Sequence, residues 1–206
     1  MIDLFAFATP NSVKVPIMLE EVGAEYRLTN VNIRAGEQKS LEHLARNPNG
    51  KVPVIVDAEG PGGKPVTIVE SAAILIYLAE KFGKLIPADP VERIRMFEWM
   101  FFHASGLGPA FGNAGYFQKL APSPAPLAIE RFSAEARRTL GVLDQRLGQA
   151  EFLAGPYSIA DIVNFGWIWR REFAGVDFAD APNVARWYAD LERRDAVKRA
   201  IAKLTA

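Results

Sequence analysis

Three short polar segments of this 206-residue chain carry side chains suited to ligand chemistry, and the first is Thr9-Pro10-Asn11-Ser12. It lies between an apolar, β-prone segment and a helical pattern. A helix N-terminus presents unpaired N–H groups and a positive dipole end, which stabilise an anion. The Thr9 hydroxyl and the Asn11 amide could add hydrogen bonds to a thiolate or an oxyanion. The alternative is a structural helix cap, since the same residue types are common caps.

The second segment is Lys51-Val52-Pro53. A proline cannot donate to a strand ladder, so either the strand is interrupted here or the Val52–Pro53 peptide bond is cis. A cis bond would turn the N–H and C=O of Val52 toward an open edge, where an extended peptide could pair. Lys51 could then meet a carboxylate. The alternative is an edge-strand proline beside a solvated lysine.

The third segment, Glu70-Ser71, opens a predicted helix. Ser71 and the free N–H groups there would hold a carboxylate, while Glu70 would pair with an amine, which together match an α-amino acid head group. Alternatively, Ser71 caps the helix and Glu70 interacts with its dipole. A further segment, Ser158-Ile159-Ala160-Asp161, has the capping-box pattern, and we assign it a structural role.

Composition excludes several classes of function. The chain has no cysteine, which excludes disulfide frameworks, Cys-ligated zinc and a cysteine nucleophile. The 24 basic and 24 acidic residues cancel, which argues against nucleic acid or anionic membrane partners. The two histidines, His43 and His103, do not make a metal site, so we expect no metal and a surface or packing role for each. With no signal peptide and no apolar run near the roughly 20 residues of a spanning helix, we expect a soluble, cytoplasmic protein.

The hydrophobic pattern predicts two domains, an α/β domain over residues 1–83 and an all-helical domain over residues 90–206. The first has the order β-α-β-α-β-β-α, and residues 84–89 form the linker. Its second strand is predicted over residues 26–33, its second helix over 37–45 and its third strand over 52–56, and Gly23 and Gly83 are expected to end the first and third helices. In the second domain, one helix has the apolar spacing of a bundle seam. Its seam positions are Ile129, Phe132, Ala136, Leu140, Leu143 and Leu147.

Taken in this order, the segments resemble those of glutathione transferases over the whole chain. The most specific motifs are Asn47-Pro48-Asn49-Gly50-Lys51-Val52-Pro53-Val54, Glu70-Ser71-Ala72-Ala73-Ile74 and Ser158-Ile159-Ala160-Asp161. Three further segments resemble the bacterial nu class, which includes glutathione-dependent disulfide-bond oxidoreductases. These are Ala8-Thr9-Pro10-Asn11, Gly36-Glu37-Gln38 and Ala128-Ile129-Glu130-Arg131-Phe132.

The resemblance implies a thioredoxin-like N-terminal domain that binds glutathione as co-substrate, without a metal. The helical domain would supply the pocket for the second substrate. By resemblance, the backbone of Val52 would pair with the cysteinyl unit, and Pro53 would be the cis proline. Glu70 and Ser71 would hold the γ-glutamyl amine and carboxylate. Lys51 and Gln38 would reach the glycyl carboxylate.

The resemblance also places Thr9 and Asn11 at the glutathione sulfur, and Arg131 near a second glutathione or an anionic product. There is no tyrosine at the junction after the first strand and no cysteine anywhere, so two of the family's usual thiol activators are missing. A free thiol has a pKa of about 8.5, and lowering it by two units needs roughly 2.7 kcal/mol of thiolate stabilisation. A helix N-terminus with two neutral donors can supply that amount.

Two reactions are open for such an enzyme, conjugation of an electrophile and thiol–disulfide exchange on a small disulfide. A site of the nu type favours exchange, because it would hold two glutathiones and needs no protein cysteine. The rival interpretation is a non-catalytic, transferase-like module used for binding or assembly. The family is usually homodimeric, which implies an interface near Arg93 and Arg95.

Overall fold

The computed structural model describes all 206 residues, Met1–Ala206, and they form two compact units. The first unit comprises Met1–Lys84 together with Arg194–Ala206. The second comprises Leu85–Arg193. The hydrophobic pattern puts the last helix in the helical domain, whereas in the structure that helix packs with the first unit.

The first unit has the predicted order β-α-β-α-β-β-α, followed by the final helix. Its elements are β1 (Ile2–Ala6), α1 (Lys14–Val22), β2 (Tyr26–Asn30), α2 (Leu41–Arg46), β3 (Val54–Asp57), β4 (Val66–Val69) and α3 (Ser71–Phe82). Gly23 and Gly83 end α1 and α3 in the left-handed conformation, as predicted.

Three boundaries in this unit differ from the prediction. Strand β2 ends at Asn30 rather than continuing to residue 33. The predicted helix over residues 37–45 is divided at Ser40, which has an extended backbone and accepts a hydrogen bond from the His43 N–H, so that it caps α2. Strand β3 begins at Val54 because Pro53, immediately before it, has no N–H to donate.

The four strands form one mixed sheet in the order β2-β1-β3-β4. Strand β1 is parallel to β2 and antiparallel to β3, and β3 is antiparallel to β4. In the register, Phe5 lies opposite Val54, and Val54 lies opposite Val69. The end of β1, the start of β3 and the end of β4 therefore meet at one end of the sheet.

Helix α9 (Asp195–Thr205) completes the first unit by packing against α1. Its apolar face is buried, and charged pairs border the contact. Arg194 binds Glu21 through two hydrogen bonds of 2.6 and 3.0 Å. Arg199 and Lys203 both bind the carboxylate of Glu20, at 2.7 and 2.6 Å. The sequence pattern finds this helix, but its packing on α1, through a buried apolar face bordered by charges of opposite sign, is seen only in the structure.

The second unit is helical. Its helices are α4 (Pro90–Phe102), α5 (Gly108–Lys119), α6 (Pro126–Leu147), α7 (Ile159–Trp169) and α8 (Pro182–Glu192). A single turn of π-helix, His103–Leu107, joins α4 to α5. The seam of α6 is confirmed, since its four C-terminal members are fully or almost fully buried. None of the helices has the length and apolar composition needed to span a bilayer.

The capping box at the start of α7 is confirmed. Ser158 Oγ accepts from the Ala160 N–H at 3.3 Å, and Asp161 Oδ2 accepts from the Ser158 N–H at 3.0 Å. Asp161 Oδ1 also accepts from the Leu153 N–H and from Trp187 Nε1. Burial raises the pKa of Asp161 to about 6, although these donors act in the opposite direction. This carboxylate therefore has a structural role in the second unit.

Candidate functional site

The Val52–Pro53 peptide bond is cis, as one of the two backbone alternatives from the sequence expected, and β3 begins directly after it. Pro53 directly precedes Val54, so the register places it beside the end of β1 and the end of β4. The Thr9–Ser12 turn follows β1, and Glu70 follows β4. The three segments singled out in the sequence are thus brought to the same end of the sheet.

The Thr9–Ser12 turn is held by its own hydrogen bonds. Thr9 Oγ1 accepts from the Ser12 N–H at 3.1 Å and lies 3.0 Å from Ser12 Oγ. The Thr9 carbonyl accepts from the Val13 N–H at 3.1 Å. These bonds stabilise the turn before α1, whereas Val13, at the N-cap of α1, makes no side-chain capping bond. Since two hydroxyls face each other, either can be the donor, and the Thr9 hydroxyl hydrogen is available to a ligand when Ser12 donates.

Lys14, the first residue of α1, is the site residue that the sequence analysis missed. It has no exposed surface, and its Nζ donates to Asn11 Oδ1 at 2.9 Å and to Ser71 Oγ at 3.3 Å. Burial lowers its pKa to about 7, while the Glu70 carboxylate acts to raise it. The available signal was a lysine inside an otherwise apolar stretch, Val13–Leu19, at a position where the helix faces the core.

Glu70 and Ser71 do not behave as a helix cap. Ser71 is the first residue of α3, and neither it nor Glu70 makes a side-chain capping bond. Instead, Ser71 Oγ accepts from Lys14. Glu70 is exposed and has a φ of 67°, which is rare for a residue other than glycine. Such a backbone costs about 1–3 kcal/mol and marks functional sites, so it supports a ligand-binding role for Glu70.

The loop before Pro53 is fixed by two side chains that the sequence analysis did not assign to the site. His43 Nε2 and Asn47 Nδ2 both donate to the Lys51 carbonyl oxygen at 2.9 Å. This carbonyl and the N–H of Val52 belong to one planar peptide unit and point in opposite directions. The two bonds therefore aim the Val52 N–H. His43 was expected on the surface or in packing, and it is buried.

Gln38 lies on the segment that packs against this loop. Lys39 Nζ donates to the Asn49 carbonyl at 3.4 Å, and a Cβ on Gly50 would lie only 3.1 Å from the Gln38 carbonyl oxygen. Gly50 also has a φ of 61°, so glycine is favoured there both by the close approach of Gln38 and by the left-handed backbone. Gln38 Oε1 is buried and has no hydrogen-bond partner, which leaves one polar atom unsatisfied beside the loop.

The remaining candidate residues differ in their surroundings. Lys51 is exposed beside Val52, whereas Arg131 is exposed on α6 in the second unit. No group of three or more histidine, aspartate or glutamate side chains is arranged to hold a metal ion. The candidate site in the first unit therefore contains two lysines, Lys14 and Lys51, and the Glu70 carboxylate. This charge pattern suits a ligand that carries carboxylates and an amine.

Comparison with known proteins identifies relatives over both units. The family model described as glutathione S-transferase, N-terminal domain, matches residues 2–80, and the corresponding C-terminal domain model matches residues 126–190. The chain is 40% identical over 207 residues to the disulfide-bond oxidoreductase YfcG of Escherichia coli, and the match covers 98% of this chain and 95% of YfcG.

Solved structures give the same relationship. A glutathione transferase from Burkholderia graminis, with two glutathione molecules bound per subunit, has a TM-score of 0.92 and 42% identity, covering 97% of this chain and 87% of that chain. One from Pseudomonas putida, with one glutathione disulfide bound per subunit, has a TM-score of 0.91 and 38% identity, covering 97% and 90%. The thioredoxin-like fold of the first unit, followed by a helical unit, agrees with these relatives.

Proposed function

We propose that this chain, which belongs to the glutathione S-transferase family, is a glutathione-dependent oxidoreductase that reduces small disulfides. Conjugation of electrophiles is the second reaction open to the same thiol. The observation that carries the proposal is the convergence of the Asn11 amide, the cis Val52–Pro53 bond and the Glu70–Ser71 pair at one end of the sheet. A tripeptide thiol needs these three kinds of contact.

In the proposed complex, each group of the ligand meets a matching group of the protein. The N–H and C=O of Val52 pair with the cysteinyl unit of glutathione, as an added strand would. Glu70 binds the γ-glutamyl amine, and Ser71 binds the γ-glutamyl carboxylate. Lys51 and Gln38 bind the glycyl carboxylate. Gln38 would donate to this carboxylate through its Nε2 hydrogens, because its amide oxygen can only accept.

Thr9 and Asn11 are proposed to stabilise the glutathione thiolate. Asn11 Oδ1 is occupied by Lys14, so the Asn11 Nδ2 hydrogens are the part of this amide left for the sulfur. A hydrogen bond to a charged acceptor is worth about 1.5–3 kcal/mol, which corresponds to between one and two pKa units. Arg131, exposed on the second unit, is proposed to contact a second glutathione or an anionic product.

The proposed reaction needs two glutathiones because the chain has no cysteine. The first thiolate attacks one sulfur of the disulfide RSSR, forming the mixed disulfide GSSR and releasing RS⁻. The second glutathione thiolate attacks the glutathione sulfur of GSSR, forming GSSG and releasing the other RS⁻. Both released thiolates take up a proton from water. The sum is 2 GSH + RSSR → GSSG + 2 RSH.

The test is a turnover assay with purified protein, glutathione and hydroxyethyl disulfide, in which GSSG is followed through glutathione reductase and NADPH. Conjugation is measured in parallel with chlorodinitrobenzene, and binding is measured on immobilised glutathione. We expect retention together with disulfide turnover well above the uncatalysed rate. Conjugation without disulfide turnover would contradict the oxidoreductase proposal. Retention without any turnover would indicate a binding module, and no retention would contradict glutathione binding itself.

A homodimer is part of the proposal and rests on the family and on α4. Val91, Ile94 and Phe101 are large apolar residues that are exposed on this helix. Exposed apolar surface on one helix is typical of an interaction site. We expect light scattering to give twice the mass of the chain. Replacing Phe101 and Ile94 with serine should produce the monomer, and a wild-type monomer at micromolar concentration would contradict the dimer.

A further inference from the structure

We propose that Lys14 is the positioning cation of the ligand site: its Nζ orients the Asn11 amide and the Ser71 hydroxyl so that both donate toward bound glutathione. The inference rests on the proposed glutathione site and adds to it a residue that does not itself touch the ligand. It also gives the site a coupling between ligand binding and proton uptake.

Lys14 contacts two residues of the proposed site at once. Asn11 and Ser71 are assigned to opposite parts of the ligand, the sulfur and the γ-glutamyl carboxylate. Lys14 Nζ donates to both residues, at 2.9 Å to Asn11 Oδ1 and at 3.3 Å to Ser71 Oγ. Lys14 and Ser71 are 57 positions apart in the sequence. A lysine with no exposed surface is rare in proteins, and it is retained where a specific interaction compensates for its desolvation.

The charge state of Lys14 decides the direction of its two hydrogen bonds. An ammonium group has three donors and no acceptor, so both bonds must run from Lys14 outward. Asn11 Oδ1 is then an acceptor, and the Asn11 amide must present its Nδ2 hydrogens on the other side. Ser71 Oγ accepts from Lys14, so its own hydrogen is free to be donated to a carboxylate. A neutral amine could accept from Ser71, and the ligand would then lose that donor.

Burial and the charges around Lys14 act on its pKa in opposite directions. Burial disfavours the charged form and lowers the pKa of Lys14 to about 7, so a large share of the free protein carries a neutral amine near neutral pH. Glu70, just before α3, is the charged group that acts on Lys14 and favours protonation. The cations nearest the last turns of α1 are already paired: Arg194, just before α9, binds Glu21, and Arg199 and Lys203, on α9, bind Glu20. An anionic ligand at the site favours protonated Lys14, so binding must take up a proton.

The experiment measures this uptake by titration calorimetry in buffers of different ionisation enthalpy. The probe is S-methylglutathione, which has the amine and both carboxylates but no thiol proton to release. At about pH 8, where a lysine with a lowered pKa is mostly neutral, we expect close to one proton taken up per ligand. The affinity should fall severalfold from about pH 7 to about pH 8, because the proton must come from solution.

The Lys14→Met variant tests whether Lys14 is the group that takes up the proton, since methionine has a similar length and cannot titrate. We expect this variant to bind at least about tenfold more weakly at pH 7, with no proton uptake and a flat affinity over the same pH range. Lys64→Met, at an exposed lysine in the turn before β4, is the matched control and should keep the wild-type uptake. Thermal unfolding is measured for each variant to compare their folding.

The outcomes separate this inference from the proposed function. Wild-type binding without proton uptake overturns the role of Lys14 and leaves glutathione binding intact. Uptake that persists in folded Lys14→Met also overturns it. If Lys14→Met does not fold, the wild-type uptake and its pH profile still decide, because a profile that is flat between about pH 7 and pH 8 contradicts the inference. A wild-type protein that does not bind S-methylglutathione overturns the proposed glutathione site and this inference with it.

Discussion

His43 Nε2 donates a hydrogen bond to the Lys51 carbonyl oxygen at 2.9 Å, and this bond sets the direction of the peptide unit that carries the Val52 N–H. Asn47 Nδ2 donates to the same oxygen at the same distance. A helix and a loop thus hold the peptide unit before the cis bond from one side. The other side of that unit is the one proposed to pair with glutathione.

Replacing His43 with leucine should therefore weaken glutathione binding without changing the thiol pKa. The loss of one hydrogen bond costs about 1 kcal/mol, so we expect a Kd increase of roughly fivefold to tenfold in titration calorimetry. Glu42→Ala, on the exposed part of the same helix, is the control for a general disturbance of α2 and should bind as the wild type does. Equal affinities for His43→Leu and the wild type would contradict the positioning role.

Replacing Asn11 with alanine should raise the pKa of the bound glutathione thiol by about one unit. The amide is proposed to donate to the thiolate, and one pKa unit corresponds to about 1.4 kcal/mol. The measurement is the thiolate absorbance of the bound ligand as a function of pH. Asn30→Ala, at the exposed end of β2, is the matched control. An unchanged thiol titration in Asn11→Ala would exclude this role for the amide.

Replacing Glu70 with glycine should stabilise the protein and weaken ligand binding at the same time. Glycine adopts a φ of 67° without steric cost, so we expect the free energy of unfolding to rise by about 1 kcal/mol. Glu70→Gln keeps the strained backbone and removes only the charge, so its stability should stay near that of the wild type. Both variants should lose affinity for glutathione. If Glu70→Gly is less stable than Glu70→Gln, the backbone of Glu70 is not strained in the folded protein.

Asp161 should make the stability of the helical unit depend on pH. Its pKa is raised from 3.8 to about 6, so the folded state binds more protons than the unfolded state in this window. Stability contributed by this group is therefore fully present below pH 3.8 and is lost as the pH rises through about 6. Replacement by asparagine removes this slope.

The measurement is urea unfolding of the wild type and Asp161→Asn from about pH 4 to pH 7. The variant should be less stable throughout, because an amide cannot accept from all the donors around Asp161. The difference should shrink by on the order of 2 kcal/mol as the pH rises. A difference that is constant with pH would show that the pKa of Asp161 is not raised in the folded state.

Much of the first unit could be predicted from the sequence because its signals are local. Alternating apolar residues, the glycines after α1 and α3 and the turn residues between strands predict the element order βαβαββα, which is confirmed. The boundary errors also have local causes. Ser40 divides the predicted second helix because it caps α2, and Pro53 delays β3 because it cannot donate.

The parts that could not be predicted depend on residues far apart in the chain. Helix α9 is visible as a helix in the sequence, but its packing on α1 brings together residues such as Arg194 and Glu21, which are 173 positions apart. His43 carried no sequence signal for its contact with Lys51. A buried histidine is recognised only when the atom it bonds is known.

By itself, the sequence determined that no thiol of this chain can take part in disulfide exchange, since there is no cysteine. It also determined the polar segments around Thr9, Val52 and Glu70, because residue types at the ends of predicted strands are local information. Only the tertiary structure decided that Asn11 and Ser71 share one buried cation, Lys14. The physical reason is that the pairing of β1, β3 and β4 brings distant segments to one sheet end, and the burial of a lysine there is a property of the assembled core.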